Sequence, residues 1–392
     1  MHTRSHVLSV FLIVTLFVVG CEAPDNGADE TADFPRELSS EYESIELDQV
    51  ASDLEHPWSI DFLPDDRMLV TERPGRLNLV ENGDVTEVTG LPEIEAVNQG
   101  GLLEVSLHPE YEETGWIYLT YSQPNGDDET ATTLIRGQLD GNELVEVEEL
   151  FVQDRFSSPG RHYGSKIAWT TDGHLLMSVG DRGADPPRAQ DLDDHAGTLL
   201  RMNDDGSVPD DNPFTDDPEA LDEIYTYGNR NIQGLVVDPE TDEIWSTEHG
   251  PRGGDELNLL EAGNNYGWPT VTLGWDYGTE DVFPDAEARR MDDMEGPIYE
   301  FLPTHAPSGL ALVTGDEFPA WEGNLLAGGL RSERIRRVVV GEYEGEYEVF
   351  HEEELLLGEI GRVRDVREGP DDAIYVLTDH SDGGIYRMTS AD

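Results

Sequence analysis

The sequence has almost no cysteine and few basic residues. Its one cysteine, Cys21, excludes an internal disulfide. Only 24 of the 392 residues are Lys or Arg, a single one of them lysine (Lys166), whereas 85 are Asp or Glu, which gives a formal charge of −61. Phosphate binding requires a basic surface, so this composition excludes nucleic acid as a default partner. It also disfavours adsorption on anionic lipid.

The large net charge has two possible explanations, disorder and adaptation to high salt. The hydrophobic content is 37%, with 7 Trp, 14 Tyr and 11 Phe, which is enough to build a core. We therefore interpret the charge as the surface of a halophilic protein, in which salt screens the repulsion between carboxylates.

An apolar run at the N-terminus, residues 7–19, is too short to span a membrane and is typical of a signal-peptide core. Cys21 follows small residues, as in the cleavage motif of exported lipoproteins; an ordinary secretory signal with a chance cysteine is the alternative. We expect residues 1–20 to be a lipoprotein-type signal peptide and residues 21–43 to be an acidic flexible tether. The protein is then expected to be exported and anchored through Cys21, on the outer face of the cytoplasmic membrane or in the periplasm.

Residues 44–392 show short apolar runs separated by Gly, Asp, Asn and Pro, which indicates strands and turns. A phrase made of a strand, a turn and a second strand recurs about every 60 residues, starting at Ser59, Leu102, Ser165, Gly234, Gly309 and Arg362. Six such units predict an all-β fold, a six-bladed β-propeller with four-stranded antiparallel blades, whose ring is closed by a strand over residues 45–50. A pair of β-sandwiches is the alternative.

Polar and basic side chains recur just before these phrases. Equivalent positions of successive blades lie on one face around a central channel, so the side chains should meet at one mouth. The residues are Gln99, Arg161, His162, Arg230, Asn231, His305, Arg362 and Arg364, and Arg331 could join them. Any one arginine could simply pair with a nearby carboxylate, but five at one position predict a hole for a small polyanion.

Two other features suggest chemistry. His162 lies in a glycine-flanked bend among arginines and without metal-ligand spacing, so a general base is more plausible than a metal ligand. After His249, the carbonyls of Gly250 and Pro251 and the carboxylates of Asp255 and Glu256 offer hard oxygen ligands that suit calcium. From spacing alone, a solvated acidic turn explains that segment equally well.

Six motifs together resemble a known family: residues 98–103, 160–164, 227–234, 249–256, 265–269 and 362–365. The sequence from about Leu54 to Met388 is similar to the soluble quinoprotein glucose/sorbosone dehydrogenases, and more specifically to aldose sugar dehydrogenases. The resemblance implies a six-bladed propeller that uses pyrroloquinoline quinone (PQQ) and calcium to oxidise aldose sugars at C1 to lactones, with an unknown electron acceptor. The loops before Pro307 do not match a glucose-specific member, so a broad range of aldoses is expected.

The resemblance also implies a role for each candidate residue. His162 would remove the anomeric hydroxyl proton, and Arg230 would stabilise the charge that develops on the quinone as hydride arrives. The cofactor would be held by Gln99, Arg161, Asn231, Arg331, Arg362 and Arg364. The metal candidates are Gly250 and Pro251, whose carbonyls would bind the calcium that bridges to the cofactor, Glu256 and Tyr266, which match a second calcium site, and Asp255.

Two other functions remain open from the sequence. A propeller lactonase would use a channel calcium to activate water, but it does not account for the arginines. A sugar-binding propeller without catalytic activity would keep the fold and have no turnover to lose.

Overall fold

The computed structural model describes residues 34–158, 160–279 and 281–391. Six antiparallel sheets follow one another along the chain and form the blades of a ring, which confirms the predicted six-bladed propeller. The first blade contains β3 (Pro57–Phe62), β4 (Met68–Glu72), β5 (Arg76–Glu81) and β6 (Asp84–Val88). The second contains β7 (Leu102–Leu107), β8 (Trp116–Pro124), β9 (Thr130–Asp140) and β10 (Glu143–Val152). The third contains β11 (Ile167–Trp169), β12 (Leu175–Val179), β13 (Thr198–Met202) and β14 (Ile224–Tyr227).

The remaining blades follow the same order. The fourth contains β15 (Ile232–Val237), β16 (Ile244–Glu248), β17 (Asp255–Leu260) and β18 (Tyr299–Phe301). The fifth contains β19 (Pro307–Leu312), β20 (Leu325–Gly329), β21 (Arg334–Tyr343) and β22 (Glu346–Leu355). The sixth contains β23 (Val363–Glu368), β24 (Ile374–Thr378), β25 (Gly383–Ser390), β2 (Ser44–Leu54) and β1 (Arg36–Ser39). The helices are short: α1 (Tyr111–Thr114) and two 3₁₀ turns, Pro186–Gln190 and Pro319–Trp321.

Each recurring phrase of the sequence forms the two innermost strands of a blade. The inner strands β3, β7, β11, β15, β19 and β23 contact one another around the channel. Apolar side chains between successive blades form six separate clusters, one for each blade-to-blade interface. Burial of these clusters stabilises the ring, because a blade cannot cover its two apolar faces alone.

The ring is closed by β2, which pairs with β25, so the predicted closing strand is present and extends to Leu54. The predicted tether, however, ends earlier than residue 43. Residues 36–39 form β1 on the outer edge of the last blade, and Arg36 pairs with Glu359 at 2.9 Å. The acidic composition hid this strand, in which alternate residues, including Leu38, face the blade. The predicted signal peptide, Cys21 and residues 22–33 lie outside the described residues.

A buried network of charges divides the channel. The single lysine, Lys166, lies 2.7 Å from Glu104 and 3.1 Å from Asp365, and Glu104 also pairs with Arg367 at 2.6 Å. We call Glu104, Lys166, Asp365 and Arg367 the septum. One cavity of about 330 Å³ opens on the side where the inner strands begin, and another of about 330 Å³, lined mainly by apolar residues, opens where they end. Among the described residues, no helix is long and apolar enough to cross a membrane.

Candidate active site

The cavity at the start of the inner strands is built mainly from two positions of the repeat, the first supplied by five blades and the second by four. In an antiparallel pair, the residues before the first strand and those after the second strand lie at the same end. The first position supplies Gln99, Gly164, Asn231, Ala306 and Arg362, and the second supplies Arg73, His249, Arg331 and Asp379. The floor includes Trp58, Leu103 and Arg364, which are in or beside the inner strands. The predicted convergence at one mouth is therefore present, and five predicted residues line it: Gln99, Asn231, Arg331, Arg362 and Arg364.

Several arginines at this mouth lack an acidic partner, although the protein carries 85 acidic residues. Most described arginines lie within 4.0 Å of a carboxylate oxygen. In the described part of the chain, those that do not are Arg73, Arg161, Arg182, Arg230, Arg252, Arg289, Arg290 and Arg331. Two of these eight, Arg73 and Arg331, line the cavity. An unpaired guanidinium in so acidic a protein indicates a place kept for another anion.

The other two cavity arginines share one carboxylate. Arg362 and Arg364 donate to Asp379 Oδ2 at 3.0 and 2.9 Å, and His56 Nδ1 contacts Asp379 Oδ1 at 2.8 Å. Burial alone raises the pKa of Asp379, but Arg364, His56 and Arg362 outweigh it and hold that pKa well below its usual range. Asp379 is therefore ionised, and it orients the two arginines with their remaining N–H groups available to the cavity.

The structure separates Arg161 from the cofactor-holding set predicted from the sequence. Its guanidinium is exposed and donates to the carbonyl of Gly183, outside the residues that line the cavity. His305, which precedes the fifth phrase, is buried behind the wall, where it contacts Ser332 Oγ at 2.6 Å and the Ala327 carbonyl at 3.1 Å. Sequence reasoning missed Arg73 and Asp379, which follow the second strand of their blades. The repeat could have identified them, because residues just after the second strand of a blade lie at the same end as residues just before the first strand.

His162 forms a dyad with Asp181; it is not among the residues that line the cavity, but its neighbour Tyr163 and its hydrogen-bond partner Gln99 are. His162 Nδ1 lies 2.6 Å from Asp181 Oδ1, and the backbone N–H of His162 donates to Gln99 Oε1 at 2.8 Å. Burial and the charge of Arg230 hold the pKa of His162 below its usual value, against the opposing effect of Asp181. The residue is in the left-handed region at φ 52°, a strained conformation often found at active sites. The imidazole is therefore neutral at pH 7, with Nδ1 occupied by Asp181 and Nε2 left to act as a base.

Arg230 lies between His162 and a second, smaller void. Its guanidinium donates to the His249 carbonyl at 3.1 Å, while Nε is buried without a partner among the described residues. His249 donates its Nε2–H to the Pro307 carbonyl, 2.6 Å away, and burial together with Arg230 lowers its pKa to about 3. His249 is thus a neutral wall residue that lines both spaces.

The smaller void is lined by two glutamates, the buried Glu248 and the half-buried Glu256, with Gly250 and Tyr266 beside them. Burial raises the pKa of both carboxyls, and that of Glu256 is raised further by the charge of Glu248. Asn258 contacts both through Nδ2, at 3.1 and 3.4 Å, and its own Oδ1 is buried without a partner among the described residues. These two carboxylates and the free amide oxygen form an oxygen-rich set that suits a hard cation.

Two other predicted metal candidates lie differently. Asp255 accepts N–H groups from Gly250, His305 and Ala306 at 3.1, 2.8 and 2.9 Å, so its carboxylate closes loops outside the void. Pro251 is buried and is not among the residues that line the void. In the described part of the chain, no group of three or more His, Cys, Asp or Glu side chains is placed to hold a metal ion. Any site here must therefore use carbonyl and amide oxygens as well as carboxylates.

Comparison with known proteins agrees with this arrangement. The family model for glucose / sorbosone dehydrogenase matches residues 54–387. The aldose sugar dehydrogenase YliI of Escherichia coli is 36% identical over 351 residues, covering 88% of this chain and 93% of that protein. The crystal structure of the soluble aldose sugar dehydrogenase from Escherichia coli in the apo-form has a TM-score of 0.82 at 35% identity, covering 88% of this chain and 99% of that one.

A cofactor-bound relative shares the same fold. The PQQ-bound form of aldose sugar dehydrogenase from Streptomyces coelicolor has a TM-score of 0.70 at 26% identity, covering 91% of this chain and all of that one, 100%. The family match spans the ring from before β3 into β25 and includes each motif on which the sequence resemblance rested. The chain therefore belongs to the glucose/sorbosone dehydrogenase family, the PQQ-dependent sugar dehydrogenases that its motifs resemble.

Proposed function

We propose that this protein oxidises aldose sugars at C1 to lactones, with PQQ as the electron-accepting cofactor and calcium beside it. The observation that carries the proposal is the arginine-lined cavity next to a neutral, carboxylate-bound histidine, in a protein whose net charge is −61. A sugar alone would need no such concentration of positive charge, whereas a polyanionic redox cofactor does.

The cavity fits PQQ in charge and size. Arg73, Arg331, Arg362 and Arg364 line it, and Asp379 is the acidic side chain among them. The excess of three positive charges matches the three carboxylates of PQQ. A volume of about 330 Å³ lies in the range of small-ligand pockets. Gln99 and Asn231 add neutral amides that can bind carbonyl oxygens.

Different residues around the cavity would then carry out proton removal, charge stabilisation and calcium binding. When bound, PQQ supplies a two-electron acceptor for the hydride from the sugar C1. His162 takes the hydroxyl proton on Nε2, and Asp181 stabilises the imidazolium that forms. Arg230 carries an unneutralised charge beside this base, where it can stabilise negative charge in the transition state. Glu248, Glu256, the Asn258 amide and nearby backbone carbonyls such as that of Gly250 would hold calcium, whose charge offsets the two carboxylates.

The test is reconstitution of the purified protein with PQQ and calcium. We expect an aldose to bleach the oxidised cofactor's visible spectrum and to reduce an artificial dye. His162→Gln should keep the cofactor spectrum and lose turnover, whereas His174→Gln, at a half-buried histidine held by Asp172 outside the cavity, should behave as wild type. The proposal would be refuted if the reconstituted protein failed to reduce the dye with every aldose tested. Calcium-dependent lactone hydrolysis without PQQ would favour a lactonase, and cofactor-free sugar binding a non-catalytic propeller.

We also propose that the protein is exported and anchored through a lipid on Cys21. The support is the sequence pattern of residues 7–21. Expression of the full chain should give a membrane-associated protein that takes up labelled fatty acid, and Cys21→Ser should lose the label. Labelling that is equal in wild type and Cys21→Ser would contradict the anchor.

A further inference from the structure

Trp268 contacts both Asp181 and Arg230, and no role has been assigned to it so far. It belongs to the segment of residues 261–298 that joins β17 to β18. Its indole Nε1 donates to Asp181 Oδ2 at 2.8 Å, and its ring centre lies 5.0 Å from the guanidinium carbon of Arg230. The same ring therefore touches the partner of His162 on one edge and Arg230 on one face.

The indole is held rigidly in this place. The backbone N–H of Trp268 donates to the Gly228 carbonyl at 2.8 Å, and its carbonyl accepts from Gln190 Nε2 at 2.7 Å. Phe283 packs against the ring with a centroid distance of 4.7 Å, and the Trp268 side chain is almost fully buried. A rigid donor of this kind fixes the carboxylate that it binds.

The bond to Trp268 completes the hydrogen bonding of Asp181. Oδ1 accepts from His162 and from the Gly183 N–H at 2.8 Å, so Trp268 provides the donor to Oδ2. Without the indole N–H, one oxygen of a fully buried carboxylate would lose its partner. The carboxylate would then bind the imidazole proton more strongly, because hydrogen bonds to a charged oxygen reduce its basicity.

The ring face has a second effect. Arg230 has no carboxylate within 4.0 Å in the described part of the chain, yet it is buried beside His162. An aromatic face stabilises a guanidinium without neutralising its charge. Trp268 thus allows a full positive charge to remain next to the base, where an aspartate in the same place would cancel it.

We propose that Trp268 is a positioning residue for the dehydrogenase chemistry, which holds Asp181 through its indole N–H and Arg230 through its ring, and so keeps His162 unprotonated and aimed at the substrate. Only the expected changes in kcat and kcat/KM rest on the proposed function. The charged and titratable groups that act on His162 are Asp181, Arg230, Arg161 and His249. A substitution at Trp268 leaves all four of these residues in the sequence.

The first test is Trp268→Phe, which removes the N–H and keeps an aromatic face. In the cofactor-free protein, we expect the His162 pKa, measured by NMR and assigned with His162→Gln, to rise by about 0.5–1 unit, the effect of losing one hydrogen bond to a charged group. In the loaded enzyme, the acidic limb of the kcat/KM profile should move upward by the same amount. The kcat at pH 7 should fall about 3–10-fold by this protonation and by looser positioning, with the sugar KM nearly unchanged.

The matched control is Trp321→Phe. Trp321 is fully buried in the fifth blade, and its indole Nε1 has no partner among the described residues, so this substitution also removes a buried indole N–H. It should leave the His162 pKa and the pH profile unchanged. If Trp268→Phe does not fold, replacement of Trp268 by benzothienylalanine, which keeps the ring shape without the N–H, gives the same readout.

An unchanged His162 pKa in folded Trp268→Phe or in the benzothienylalanine protein would overturn the proposal. An equal shift in Trp321→Phe would do the same, because it would assign the effect to general loosening of the fold. Both results come from the cofactor-free protein. They are therefore distinct from a failure of the proposed function, in which the wild type would oxidise no aldose whatever the His162 pKa.

Discussion

Replacing Lys166 by Met removes one positive charge from the septum while keeping the length of the side chain. Lys166 Nζ lies 2.7 Å from Glu104 and 3.1 Å from Asp365, and all three residues are buried. Removing one partner of a buried ion pair destabilises a protein by about 3–5 kcal/mol. Because Glu104 keeps Arg367 at 2.6 Å, we expect a loss near the lower end, about 3 kcal/mol at pH 7.

The loss should depend on pH. Burial raises the pKa of Glu104 even with Lys166 and Arg367 opposing it, and removal of Lys166 raises that pKa further. An acid whose folded-state pKa lies above its unfolded value destabilises the fold when ionised, and this cost disappears as the pH falls. The difference in unfolding free energy between Lys166→Met and wild type should therefore shrink between pH 7 and pH 5.

Urea unfolding in molar salt, followed by tryptophan fluorescence at both pH values, measures these differences. Arg387→Met is the matched control, because Arg387 pairs with Asp371 at 2.6 Å on the partly exposed outer surface, where such a pair contributes about 1 kcal/mol or less. A Lys166→Met protein within about 1 kcal/mol of wild type at pH 7, or one with the same deficit at both pH values, would refute the reasoning.

Three further predictions concern the cavity, the void and the surface. Arg73→Met should weaken PQQ binding about tenfold in a titration, as expected for the loss of one charged hydrogen bond, whereas Arg67→Met, at a surface arginine paired with Asp65, should not. Glu256→Gln should raise the Tm of the calcium-free protein by relieving its repulsion with Glu248 and should abolish the rise in Tm on adding calcium; a calcium effect equal to that of wild type would contradict the assignment. Wild-type Tm should fall as NaCl is lowered from molar to millimolar concentration, and a Tm independent of salt would contradict the halophilic interpretation.

The sequence was most informative where the repeat is regular. Each of the six phrases begins the innermost strands of a blade, because alternating apolar residues and Gly or Asp turns are local signals. The position before each inner strand then gave Gln99, Asn231 and Arg362 correctly as cavity residues, and the start of β23 gave Arg364. The closing strand was also correct, since residues 45–50 carry the same alternation.

The remaining features depend on pairings that are remote in sequence. Trp268 and Asp181 are 87 residues apart, and no local pattern shows that an indole N–H meets that carboxylate. Arg161 was grouped with the cavity because it precedes His162, but successive residues point in different directions and its side chain turns outward to Gly183. The strand β1 was missed because it lies in an acidic segment, where composition masks alternation, and its pairing with β2 is not visible in the sequence.

The septum is buried between the cofactor cavity and the cavity at the other end of the inner strands, so we expect the cofactor cavity to have a single entrance. Under the proposed function, the sugar, the lactone and the electron acceptor must all pass through the mouth framed by Arg73, Arg331 and Arg362. The lactone must then leave before an acceptor can approach the reduced cofactor, so turnover divides into two half-reactions with ping-pong kinetics. The sugar and the electron acceptor should each inhibit turnover when in excess, because either one can occupy the mouth of the cavity at the step that requires the other.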